Sequence, residues 1–263
     1  MSYGARLLDN PEPTQHIVQL YGTDEQLLIR SLARYLAEGL HRGDSLLVIA
    51  TPEHKESVFL QLRQDRAYPK AVLEGRLVFL DAHSTLSQVL LDGHPDWQRF
   101  ESVLGAAVRD AQERAGHGGV RTYGEMVGLL WSEGRFSAAA LLEKYWNSLL
   151  ARSNLSLFCA YPIDIFGDEF RMEAVDQLMC AHTHMLPVDD ALESALNRAM
   201  DEVLGPRMDG LRGLMKANYR PTWAVVPRSE AIILWLRNNL PGSADAILEL
   251  ARRYYQPLAT SDA

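Results

Sequence analysis

Two patterns of apolar and polar positions alternate along the first two-thirds of the chain. Short, nearly unbroken apolar runs predict strands over 16–22 ("HIVQLYG"), 44–52 ("DSLLVIATP"), 76–83 ("RLVFLDAH"), 119–125 ("GVRTYGE") and 155–162 ("LSLFCAYP"). None alternates in and out as a half-exposed strand does, so each reads as a strand covered on both faces. Between them, apolar residues recur at helical spacing. Over 23–43, Leu28, Leu32, Tyr35, Leu36 and Leu40 form one stripe. Thr23 is the expected N-cap of that helix, Asp24 and Glu25 suit its positive end, and Gly39 or Gly43 marks the exit. Further helices are expected over 52–64, 100–116 and 133–152, and the stretch after Gly124 also reads as helical. Strand and helix in turn predict an α/β fold, a predominantly parallel sheet with helices on both faces and right-handed crossovers.

From Pro187 the pattern becomes helical almost throughout, over 189–205, 207–219, 228–240 and 243–255, with "TWAVV" (222–226) the single strand-like piece. Gly205-Pro206, Arg220-Pro221 and Pro241-Gly242 punctuate it. The organisation expected is a loosely ordered polar lead-in over 1–13, an α/β domain over 14–186 and a C-terminal helical appendage over 187–263. The appendage is too small to hold a large core, so it packs on the main domain or on a second copy, to transmit a signal or to dimerise.

Composition narrows the partners. The net charge of −8, from 34 acids and 26 bases, argues against a general nucleic-acid binder. No apolar run approaches the roughly 20 residues that span a bilayer, and the N-terminus lacks the pattern of a secretory signal. Two cysteines without C-x-x-C spacing, Cys159 and Cys180, are expected to be buried thiols in a reducing cytoplasm. Arg212, Lys216 and Arg220, flanked by Arg207 and Arg228, form a basic stripe on a tail helix. It is a solvated face, or alternatively a patch for an acidic partner such as DNA.

Candidate chemistry is sparse. The loop after the first strand, "LYGTDEQLL", has one glycine, no lysine and two acids. Asp24 and Glu25 would repel a triphosphate, so ATP is not the expected cofactor, and a neutral or cationic ligand suits that helix start better. There is no G-x-S-x-G elbow, and Cys159 lies within a strand with no base beside it in sequence. Cys180, His182 and His184 in "CAHTHML" lack the i,i+4 spacing of a helical metal pair, so no metal site is expected and structural histidines are the better reading.

In an open parallel sheet, ligands bind beyond the carboxyl ends of the strands. The candidates there are Tyr21, Gly22 and Thr23 after the first strand, Asp81 and His83 after the third, Gly124 and Glu125 after the fourth, and Tyr161 after the fifth. Trp131, near Glu125, is core or an apolar wall of the same site. Glu53 and His54 read as helix caps. For Asp81 and Glu125, cap and pocket both stay open.

The order and spacing of these motifs carry a family resemblance. "HIVQLYGTDEQL", "GLHRGDSLLVIATPEH", Gly124-Glu125-Met126, "LLEKYWN" (141–147) and Cys159-Ala160-Tyr161-Pro162 resemble the MEDS family, the methanogen/methylotroph DcmR sensory domain, over roughly residues 14 to 186. The resemblance implies a non-catalytic sensor of small compounds, hydrocarbon derivatives among them, often joined to histidine kinases or DNA-binding regions. It also implies an outline similar to RecA- and KaiC-type domains without a phosphate loop. His182 lies near the end of the resembling stretch, and the family supplies no ligand residue to carry over.

Overall fold

A computed structural model describes residues 2–116, 118–208, 210–211 and 225–255, apart from the side chains at 174, 177 and 190. Among these, the strands are β1 (His16–Leu20), β2 (Ser45–Ala50), β3 (Leu77–Asp81), β4 (Leu90–Leu91), β5 (His94–Pro95), β6 (Val120–Gly124), β7 (Leu155–Tyr161) and β8 (His184–Met185). The helices are α1 (Tyr3–Asp9), α2 (Glu25–Arg42), α3 (Pro52–Leu62), α4 (Tyr68–Leu73), α5 (Ala82–Val89), α6 (Trp97–Phe100), α7 (Ala106–Ala115), α8 (Met126–Ser132), α9 (Phe136–Leu150), α10 (Met172–Met179), α11 (Asp190–Leu204), α12 (Arg228–Asn239) and α13 (Pro241–Tyr254).

The five apolar runs become neighbours in one parallel sheet, in the order β3-β2-β6-β7-β1-β8. Every residue of β1, β2, β6 and β7 is buried. Successive side chains therefore enter two separate cores. Val18, Leu47, Ile49, Leu157, Cys159 and Tyr161 join the core beneath α5, α8 and α9. Ile17, Leu46, Val48, Tyr123, Phe158 and Ala160 join the core beneath α1, α2 and α3. One close backbone approach is at Gly128, where a Cβ would stand 2.7 Å from the Ala160 carbonyl oxygen. Glycine there lets α8 lie directly on β7.

Several sequence expectations change. The lead-in is ordered: Ser2 caps α1, which buries Leu7 and Leu8. The N-cap of α2 is Asp24, not Thr23, its side chain accepting from the Leu27 amide. The helix expected over 100–116 is the end of α6, a π-helical turn over Glu101–Gly105 and α7. Short apolar stretches left unassigned form α4, α5, α10 and the β4–β5 hairpin, and β8 adds a sixth strand beside β1. The tail helices α11, α12 and α13 bury Leu192, Leu196, Ile233 and Leu248 in the same core as the sheet. The strand-like 222–226 contributes Val225, which bridges to His184. Residues 212–224, with the basic stripe Arg212, Lys216 and Arg220, lie outside the described residues. Of the flanking bases, Arg207 is exposed and Arg228 pairs with Glu193 at 3.1 Å.

One buried ion pair ties the start of the chain to the sheet. Arg121, on β6, points into the second core and pairs with Asp44 (2.9 Å). Its remaining donors reach the carbonyls of Leu8, Tyr35 and Asp9 at 2.7–2.9 Å. Removing it takes the charge partner from a buried carboxylate, which keeps only the Gly119 amide (2.9 Å), and a donor from each of the three carbonyls. Arg121→Ala is expected to cost about 3–5 kcal/mol, the range for breaking a buried pair, measured by denaturant unfolding. A cost under about 1 kcal/mol would show that water reaches these groups.

Candidate functional site

The sheet carries two polar clusters, one on each face. The first lies at the carboxyl ends of β2 and β6. Glu125 continues the β6 ladder, donating its amide to the Ile49 carbonyl (3.0 Å). Its carboxylate turns away from its own helix: it sits at the N-cap position of α8 without a capping hydrogen bond. Oε2 accepts instead from the Thr51 amide (2.8 Å), and Oε1 meets His54 Nδ1. Glu125 is buried, with 4% of its surface exposed. The hydrogen bond to Glu125 lifts His54 above its ordinary value of 6.5 against the opposing effect of burial. The Tyr21 ring stands edge-on to the His54 ring at 6.3 Å. The Tyr123 hydroxyl is buried beside them and has no hydrogen-bond partner among the described residues. Burial, then the Glu125 charge, pushes both phenols upward.

The second cluster lies in the other core. Glu143, from α9, is enclosed with His16 of β1, Cys159 of β7 and His182, which follows α10. Its Oε2 is 3.3 Å from His16 Nε2, and its Oε1 is 3.2 Å from His182 Nε2. Cys159 Sγ lies 3.4 Å from His16 Nε2 and 3.9 Å from Glu143 Oε2. The Tyr161 hydroxyl donates to Glu143 Oε1 (2.6 Å). Burial alone would raise the Glu143 carboxyl, but His182 and His16 outweigh it and hold it well below the usual range. Burial, with His182 beside it, lowers His16. Burial, then Glu143, raises the Cys159 thiol.

The residues selected from sequence therefore divide. Tyr21 and Glu125 come together, joined by Thr51 and His54. His54 is not a cap: Thr51 caps α3, accepting from the His54 amide, and the His54 ring faces Glu125. Asp81 is a cap, accepting from the Ser84 amide (2.7 Å), and His83 is exposed next to it. Thr23 is exposed, and Gly22, at φ +56, packs against the Asp164 backbone. Tyr161 and Trp131 belong to the other face, packed edge to face at 5.6 Å. A Cβ at Gly124 would meet Leu157 and Trp146 only at ordinary distance, so no close approach requires glycine there.

Sequence reading missed His16, Glu143 and Cys159 as a group. Cys159 does have bases beside it, delivered by β1 and α9 from distant parts of the chain. Cys180, expected to be buried, is exposed. The signal was present in "LLEKYWN" and "CAYP", which contribute Glu143 and Cys159, but only the fold brings them together.

Searches of curated proteins and of solved structures return no match. A family model does match, over residues 15–183: the methanogen/methylotroph, DcmR sensory domain. That span runs from the residue before His16 to the residue after His182, and so takes in both polar clusters. The chain belongs to the MEDS family of sensory domains.

Proposed function

We propose that the chain is a signalling protein that binds a small molecule at the carboxyl end of its sheet and passes the event to its C-terminal helices. The observation carrying this reading is the Glu125 carboxylate. It is buried beyond the ends of two parallel strands, where open α/β sheets bind ligands, and it does not cap its own helix. Beside it stand two tyrosines, one with an unpartnered buried hydroxyl. A histidine-paired carboxylate with aromatic walls favours an uncharged or cationic molecule with an apolar body and a hydrogen-bonding group. Family membership supports the sensory role.

A contiguous route leads from this site to the tail. Tyr21 and Gly22 donate their amides to the carbonyls of Tyr161 and Ile163 (3.1 and 3.0 Å). Gly22 packs on Asp164, which pairs with Arg252 of α13. Arg237 of α12 holds the carbonyls of Phe166 and Gly167 at 2.9 and 2.8 Å. A ligand that shifts the Tyr21–Gly22 turn would bias the packing of α12 and α13 by as much as it prefers one arrangement.

Three outcomes are expected. Short-chain alcohols, amines and related hydrocarbon derivatives, screened by thermal shift, should include at least one that stabilises the protein. Glu125→Gln should lose that shift, and an equal shift in both proteins removes Glu125 from the site. In hydrogen exchange, the same compound should protect α12 and α13 in the wild type but not in Arg237→Ala. Equal protection in the two would exclude this route.

The third concerns pH. His54 is raised in the folded state, so its contribution is fully present below about 6.5. It is lost as pH rises through the elevated value. The stability difference between wild type and His54→Gln should therefore shrink from pH 6 to alkaline pH. A difference independent of pH would mean that His54 and Glu125 do not share a proton-linked bond.

A further inference from the structure

The Glu143 cluster is on the opposite face from Glu125, and its chemistry stands independently of ligand binding there. Both of its histidines have a fixed tautomer. His16 Nδ1 lies 2.9 Å from the Ala181 carbonyl, which only accepts, and 2.9 Å from Asn147 Oδ1. His182 Nδ1 lies 2.7 Å from the Leu178 carbonyl. Each Nδ1 therefore carries the proton, and each Nε2 turns a lone pair inward. Metal-binding histidines are held in this way, with the outer nitrogen donating to a carbonyl or carboxylate. Neither inward nitrogen carries a proton, and the Cys159 thiol is the donor between His16 Nε2 and Glu143 Oε2. His182 Nε2 is buried and has no hydrogen bond, although Glu143 Oε1 is 3.2 Å away.

We propose that His16 Nε2, His182 Nε2, Cys159 Sγ and one oxygen of Glu143 bind a divalent transition-metal ion of the zinc type. The four donors lie within 4.8 Å of one another. Bond lengths of about 2.0–2.1 Å to nitrogen and about 2.3 Å to sulfur place the donors of a tetrahedral site about 3.3–3.8 Å apart. With Glu143 Oε2 as the carboxylate donor, three of the six edges are 3.3 Å to His16 Nε2, 3.9 Å to Cys159 Sγ and 3.4 Å between those two, close to these values, and the edges to His182 Nε2 lie within 4.8 Å.

The charges also close. One thiolate, one carboxylate and two neutral imidazoles offset a dication, leaving a neutral centre in a dry core. Binding removes the Cys159 proton to solvent as the sulfur–metal bond forms. Tyr161 and Asn147 hold the outer atoms of Glu143 and His16.

Four protein ligands leave no open position, so the site would be structural. It would join β1, α9, β7 and the segment entering β8. The competing arrangement is a proton shared between Glu143 and one histidine, with Cys159 as a neutral thiol.

Metal analysis of the full chain, purified without chelator, separates the two. About one equivalent of zinc, iron or cobalt per chain is expected. Protein unfolded in guanidinium with chelator and refolded with Co2+ should show the intense visible bands of tetrahedral cobalt and a thiolate-to-cobalt charge-transfer band. Cys180→Ser should keep that charge-transfer band and Cys159→Ser should lose it. If Cys159→Ser does not fold, the wild-type spectrum still decides, because a centre without thiolate absorption is not this one. A metal-free chain that refolds to the same yield and melting temperature with and without Zn2+ or Co2+ would overturn the proposal.

Discussion

A parallel sheet buried on both faces gives its polar side chains no water. Every charge carried on or against such a strand must find its partner inside the protein. This constraint organises the molecule. The central strands are largely apolar, and the basic and acidic residues on them or at their ends, His16, Arg121 and Glu125 after β6, each sit in a dedicated network, beside neutral polar residues such as Gln19, Ser45, Thr122 and Ser156. Glu143, on a helix rather than a strand, meets the same condition because α9 presses it into the core beneath β7.

The three networks solve the problem differently. Every nitrogen of Arg121 has a partner: one carboxylate and three carbonyls take four of its five N–H groups, and they come from the first helix, the second helix and the turn into β2. Such a network fixes architecture. Glu125 is satisfied by one backbone amide and one histidine whose pKa it raises, with an unpaired phenol close by. Such a network can change partner. Glu143 faces two imidazoles and a thiol, and its neighbours have more inward lone pairs than protons. One requirement, met to different degrees, therefore gives one complete network and the two that carry the ligand and metal proposals.

How far each was legible from sequence follows from the range of the interactions. Strands covered on both faces announce themselves locally, and all five long strands lie where unbroken apolar runs place them. The family resemblance, carried by ordered motifs, holds over 15–183. Caps are local too, yet Thr23 and Asp24 are both good caps, and only the turn geometry selects Asp24. Glu125 could not be read as cap or pocket because the answer depends on Thr51 and His54, brought beside it by the β2–β6 pairing. Tyr161 was grouped with Glu125 by its place at a strand end. Strand parity instead sends it to the opposite face, with Cys159. The Glu143 cluster was the least visible, since its four members come from four elements and no two have metal-ligand spacing.

β1 belongs to both clusters. His16 opens it in one core, and Tyr21, just past its end, closes the Glu125 site in the other. On one side β1 pairs with β7, and on the other with β8, which begins two residues after His182. The segment entering β8 has little of its own to hold it: two strand residues, a bridge to Val225 and the Thr183 bonds to His16. His182 is its buried anchor. Fixing His182 to Glu143 therefore fixes where the chain leaves the sheet for α11, and with it the frame on which α12 and α13 pack. The proposed relay requires such a frame, because a shift of the Tyr21–Gly22 turn would reach the tail as a displacement only if the other end of β1 did not move with it. Under the two proposals, the Glu143 cluster would hold that end still while the Glu125 site would respond.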